Sequence, residues 1–133
     1  MRELSFWLVG AFGCYLVALA AMSLLRPSRA AQFLEAHAST AAAHYAELAI
    51  RLVVGIAFVL AAPVMVGASF FDVFGRVLVG TTLVLLLVPW RLHRRFAEWS
   101  VPQATRRMWL LGAASGIGGA AVLIALLGPR LGA

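Results

Sequence analysis

The sequence predicts an all-α integral membrane protein: a four-helix antiparallel bundle with a short amphipathic helix lying in the interface within its first cytoplasmic loop. Three observations predict it. Of 133 residues, 63% are apolar and 12% charged, whereas a soluble domain carries roughly 25% charged residues. Four stretches meet or approach the length of about 20 predominantly apolar residues that crosses a bilayer as a helix. The basic excess is entirely arginine, eleven against five acids with a net charge of +6, and the arginines cluster between the apolar stretches. The whole chain, 1–133, reads as one domain, with spans at about 4–25, 48–67, 70–90 and 108–128.

The first span, 4–25, has no charge along its length. Beyond Pro27 and Ser28, residues 29–38 place Phe33 and Leu34 on one side of a short amphipathic helix, the pattern of a segment lying in the interface. Ser39 or Thr40 is then a candidate cap for a second helix that starts before the hydrocarbon, so that residues 41–47 project beyond it. The second span carries Arg51 near its start and Pro63 near its end, where a proline kinks a helix but is tolerated in a membrane.

The third span follows Ser69-Phe70-Phe71-Asp72, whose hydroxyl and acid have the spacing of a capping box. Residues 91–107 read as a basic, aromatic loop. Ser100-Val101-Pro102-Gln103 has the spacing of a second capping box and suggests that the fourth helix begins near residue 101, with Pro102 in its first turn.

Counting arginines by side gives the orientation. The two long loops and their flanks hold Arg26, Arg29, Arg51, Arg91, Arg94, Arg95, Arg106 and Arg107, and the opposite side holds Arg2, Arg76 and Arg130. The positive-inside rule places the long loops in the cytoplasm and both termini outside, and the compact, lysine-free, arginine-rich sequence points to a bacterial cytoplasmic (inner) membrane. The aromatic residues fit this frame, with Trp7, Phe70, Phe71 and Phe74 at the outer boundary and Trp90, Trp99 and Trp109 at the inner one.

Two polar groups fall within or beside the spans. Asp72 and Arg76 are four residues apart, so they share a helix face and can pair, either as a local interfacial ion pair or as an anion-recognising vestibule. His44, Glu47 and Arg51, at i, i+3 and i+7, form a polar stripe at the entry to the second span. With His37 seven residues before His44 and His93 on the other cytoplasmic loop, imidazoles and carboxylates could meet, but His-x-x-Glu occurs once and lacks the second matching pair of a bundle metal centre. No metal or cofactor is therefore expected.

Arg91, Arg94, Arg95, Trp99, Arg106 and Arg107 mix cations with aromatics beside the bilayer, a pattern that suits anionic headgroups or a partner protein. Nucleic acid is not expected, because the cations lie at span flanks. Gly112 and Gly116 have the small-xxx-small spacing that lets helices approach closely in lipid.

Absences narrow the function classes. The first span lacks the embedded acid of a small multidrug exporter, and the sequence has no CxxC, HExxH, P-loop or dinucleotide fingerprint. The reading that follows is a small polytopic inner-membrane protein acting as a non-enzymatic accessory or interaction subunit; a membrane-protein partner fits that role, and a homo-oligomer fits the alternative. The alternative is a small oligomeric transporter or channel with an outer Arg/Asp site and an inner His/Glu/Arg stripe.

Overall fold

A computed structural model describes residues 1–38 and 40–131, with backbone alone at 37, 38, 93, 97, 104, 130 and 131. Among the described residues every element is helical: α1 (Arg2–Leu25), α2 (Pro27–Ala38), α3 (Ala41–Ala61), a 3-10 turn (Ala62–Val64), α4 (Ala68–Leu87), α5 (Trp90–Arg106) and α6 (Met108–Leu131). Four of these helices, α1, α3 with its 3-10 extension, α4 and α6, are long and apolar enough to cross a membrane.

The four long helices pack as two pairs, α1 with α6 and α3 with α4, joined where α1 lies on α3. Glycine sets both pairings. In α1–α6, Leu24 and Ser23 sit over Gly112, Ala20 over Gly116, and the Gly13 carbonyl lies 2.9 Å from where a Cβ on Gly119 would stand. In α3–α4 the backbones meet at Gly55 and Gly75, where a Cβ on Gly75 would lie 2.7 Å from the Gly55 carbonyl oxygen. Close backbone approach is how helices gain packing energy in lipid, where no hydrophobic force acts between them. The small residues predicted on the fourth span thus meet α1 of the same chain.

Phe58 is the hub of the core. It is fully buried, stacks on Phe71 at 5.8 Å, and receives the edges of Phe12 and Phe74 at 5.7 and 5.1 Å. Phe6, Val9, Met65, Val122 and Leu126 close around this cluster. One backbone bond ties it to α6. Pro129 has no N–H to give the Ala125 carbonyl four residues earlier, and the Val66 N–H, just before α4, donates to that carbonyl at 2.9 Å.

Several local expectations are corrected. The α3 α-helix ends at Ala61 and Pro63 lies in the 3-10 turn beyond it, so the proline terminates the helix and does not kink it. Helix α4 begins at Ala68 with Gly67 as its cap, in the left-handed region at φ 78°, and neither Ser69 nor Asp72 caps it. Glycine carries no Cβ penalty there.

The helix of the third predicted span, α4, ends at Leu87, before Pro89, not at Trp90. Residues 91–107 are no loop: they belong almost wholly to α5, and Pro102 lies inside α5 and not in the first turn of the fourth span, which starts at Met108. Of the two candidate caps for α3, Thr40 accepts the Ala43 N–H at 3.1 Å, and Ser39 lies outside the described residues.

The two short helices gather at one end of the long ones. Helix α2 packs against α1, α3, α5 and α6, burying Ala30 completely, and α5 packs on α2 and α6. The opposite end holds the start of α1, the Gly67 turn and the end of α6, as the Val66–Ala125 bond shows.

Candidate functional site

Among the described residues Arg51 is the cation set deepest among the helices. It lies on α3 ten residues beyond Ala41, and side chains of a helix lean toward its N-terminus. Its guanidinium therefore returns toward Glu47, one turn earlier, at 3.7 Å. Its Nε also donates to the Thr82 hydroxyl of α4 at 3.3 Å. Thr82 is fully buried and donates in turn to the Leu78 carbonyl at 2.6 Å, the back-bond by which a hydroxyl is satisfied within its own helix. Arg51 thus couples α3 to α4 through a residue that the sequence pattern did not single out. Nothing in the spacing of Thr82 distinguishes it from Thr81, which bonds its own helix at Val77 and Leu78 and stays exposed.

Glu47 and Arg51 edge a groove of about 910 Å³ between α1 and α3, open along one side. Its walls are apolar: Leu8 and Phe12 of α1, Ile50 and Val53 of α3, and Phe74 and Leu78 of α4. Tyr15 of α1 and Ala36 of α2 also line it. The volume lies within the roughly 300–1,000 Å³ typical of ligand sites, and the lining has their usual character, mostly apolar with a few polar groups.

The predicted polar stripe is divided. Glu47 and Arg51 remain together, but His44 is buried, 1% exposed, with its ring 5.2 Å from Trp90 and 5.3 Å from Tyr45. Trp90, the first residue of α5, meets the His44 ring, so His44 is no part of a hydrated surface although its spacing shares the face of Glu47 and Arg51. The side chains of His37 and His93 lie outside the described residues. Among the described residues, no group of three His, Cys, Asp or Glu comes together.

Asp72 and Arg76 do pair, at 2.8 Å, with Arg76 68% exposed. Arg76 borders a smaller depression of about 330 Å³ with Ile56, Leu60 and Val79, separate from the Arg51 groove. An ion pair this exposed contributes little to stability.

The basic segment gains a definite form as a helix. Arg94 pairs with Glu98 at 2.9 Å. Leu92, Phe96 and Trp99, at i, i+4 and i+7, are all exposed and make one apolar stripe along α5. Arg91, Arg94, Arg95 and Arg106 stand exposed on the same helix, and Arg107 follows it. That i, i+4, i+7 spacing was the signal by which the sequence could have revealed α5.

Fold and groove together define an all-helical protein with four helices fit to span a bilayer and a half-open apolar groove edged by one ion pair. No family model, no curated protein and no solved structure matches the chain.

Proposed function

We propose that the protein is a non-enzymatic accessory or interaction subunit of a bacterial cytoplasmic membrane. Its four spans run antiparallel, both termini lie outside, and α2 and α5 rest on the cytoplasmic leaflet against anionic lipid. The observation that carries this reading is the gathering of α2 and α5 at one end of the long helices. That end collects Arg26, Arg29, Arg91, Arg94, Arg95, Arg106 and Arg107, the asymmetry that positive-inside orientation requires. Each such cation near an anionic headgroup contributes about 1 kcal/mol, while the Leu92, Phe96 and Trp99 stripe supplies an apolar face for the interface.

The antiparallel arrangement is supported by the order of contacts. Leu24, Ala20 and Gly13 of α1 meet Gly112, Gly116 and Gly119 of α6, and Arg51 and Gly55 of α3 meet Thr82 and Gly75 of α4, numbers rising on one helix as they fall on the other. The accessory role is favoured by α4, the least buried of the four long helices, whose exposed Val73, Val77 and Val84 offer apolar surface to a neighbouring membrane protein. A transport route joining Arg76 to Arg51 receives less support, since the two cations edge separate depressions and His44 is buried against Trp90.

Gentle extraction from native membranes followed by the mass of the intact assembly tests the role. A stoichiometric second protein is the expected result. A homo-oligomer containing no foreign subunit would contradict it and favour transport.

A further inference from the structure

We propose that the α1–α3 groove binds one phospholipid bearing a phosphoethanolamine headgroup, its ammonium on Glu47, its phosphate on Arg51 and an acyl chain along the apolar walls. This rests on the membrane placement of α1 and α3 but not on the accessory role.

The order of groups along the groove carries the argument. Glu47 lies nearer the start of α3, and therefore nearer the membrane surface, than Arg51. Four residues of helix separate their Cα atoms by about 6 Å along the axis, and the two charged groups stand 3.7 Å apart. Beyond Arg51 the lining turns apolar: Val53 and Val54 continue along α3, Leu78 and Phe74 recede from Thr82 along α4, and Phe12 and Leu8 recede from Tyr15 along α1. From the surface inward the groove thus presents an anion, a cation and an apolar channel. A phosphoethanolamine lipid presents the complement in the same sequence, ammonium, phosphate and chain.

Charge selects this headgroup over its relatives. The Glu47–Arg51 pair is open at 3.7 Å, and the two side chains are 43% and 34% exposed, so both can accept a ligand without being stripped from a tight bond. The pair sums to zero charge. A net-anionic phosphatidylglycerol gains at Arg51 but sets uncharged glycerol hydroxyls beside Glu47, and their neutral hydrogen bonds are weaker than those of an ammonium. Phosphatidylcholine matches in charge, yet its quaternary ammonium has no N–H to donate to the Glu47 carboxylate, whereas ethanolamine has three.

The test uses the full chain, stripped of lipid in dodecyl maltoside and titrated in parallel with dioleoyl phosphatidylethanolamine, phosphatidylcholine and phosphatidylglycerol, with bound lipid counted by native mass spectrometry. One phosphatidylethanolamine should be retained at about tenfold lower concentration than either other lipid, the effect of one charge-assisted hydrogen bond. Glu47→Gln should bring phosphatidylethanolamine down to the level of phosphatidylcholine, and Arg51→Gln should weaken all three.

Because Arg51 also holds Thr82, Glu47→Gln is the decisive variant. Val53→Trp, which fills the apolar walls and leaves both charges in place, should abolish retention. Equal retention of the three lipids, preference for phosphatidylglycerol, or a lipid-free dimer closed over the groove would each overturn the proposal. Failure of the protein to enter phosphatidylethanolamine/phosphatidylglycerol vesicles would also count against the membrane placement, whereas entry without headgroup preference sinks this site alone.

Discussion

Replacing Gly75 with alanine should force α3 away from α4. The added Cβ would stand 2.7 Å from the Gly55 carbonyl oxygen and 2.9 Å from both the Val59 nitrogen and a Val59 methyl. Two of these three atoms are backbone, so no rotamer change relieves the contact and the helices must separate by several tenths of an ångström. Overpacking of this kind costs about 1–3 kcal/mol. The alanine returns up to about 1 kcal/mol through helix propensity, leaving a net loss on the order of 1–2 kcal/mol.

Gly80, on the same helix, is the internal control. A Cβ there meets nothing within 4 Å, so Gly80→Ala should be neutral or stabilising. The assay is reversible unfolding of the purified protein in mixed micelles, with the denaturing detergent fraction raised and helicity followed by circular dichroism. A loss at Gly75 and no loss at Gly80 are expected. A neutral Gly75→Ala, or equal losses at both positions, would refute the claim that backbone contact holds α3 to α4.

Three further outcomes follow from individual contacts. Thr82→Val keeps the shape of a buried residue but removes the hydroxyl that accepts from Arg51; it should lower stability by about 0.6–2 kcal/mol in the same unfolding assay, with Thr82→Ser recovering most of the loss. Gly67→Ala places a Cβ at φ 78° with open space around it, so its cost is conformational alone, about 1–2 kcal/mol by unfolding, and Gly67→Asn should cost less. Thr40→Ala removes the acceptor of the Ala43 N–H, worth about 1 kcal/mol, and should accelerate hydrogen exchange in the first turn of α3 while leaving α6 unchanged.

The four long helices were legible because length and apolar composition decide whether a segment can cross a bilayer, and neither depends on tertiary context. The short helix after Pro27 was legible from a different local signal, the placing of Phe33 and Leu34 on one side. Less legible was anything set by neighbours. Residues 91–107 mix arginine with aromatics, and that mixture masked the i, i+4, i+7 row of Leu92, Phe96 and Trp99.

Ser69 and Asp72 had the spacing of a capping box, but the left-handed Gly67 already caps α4, and a spacing carries no information about which residue has helical dihedrals. The pairing of Asp72 with Arg76 followed from helix geometry, whereas the burial of His44 depended on where Trp90 would land. Gly112 and Gly116 stood out through their spacing; their counterparts on α1, Leu24 and Ala20, carry no mark of that role until the helices are packed.

The most direct test of the account is the sidedness of its two ends. In a Cys14→Ala background, single cysteines at Ser69, Ser28 and Gln103 would be exposed to a membrane-impermeant maleimide in intact and permeabilised cells. Four spans with the α2 and α5 end inside predict labelling at Ser69→Cys in intact cells, and at Ser28→Cys and Gln103→Cys only after permeabilisation. Labelling of all three positions in intact cells, or the reverse pattern, would contradict it.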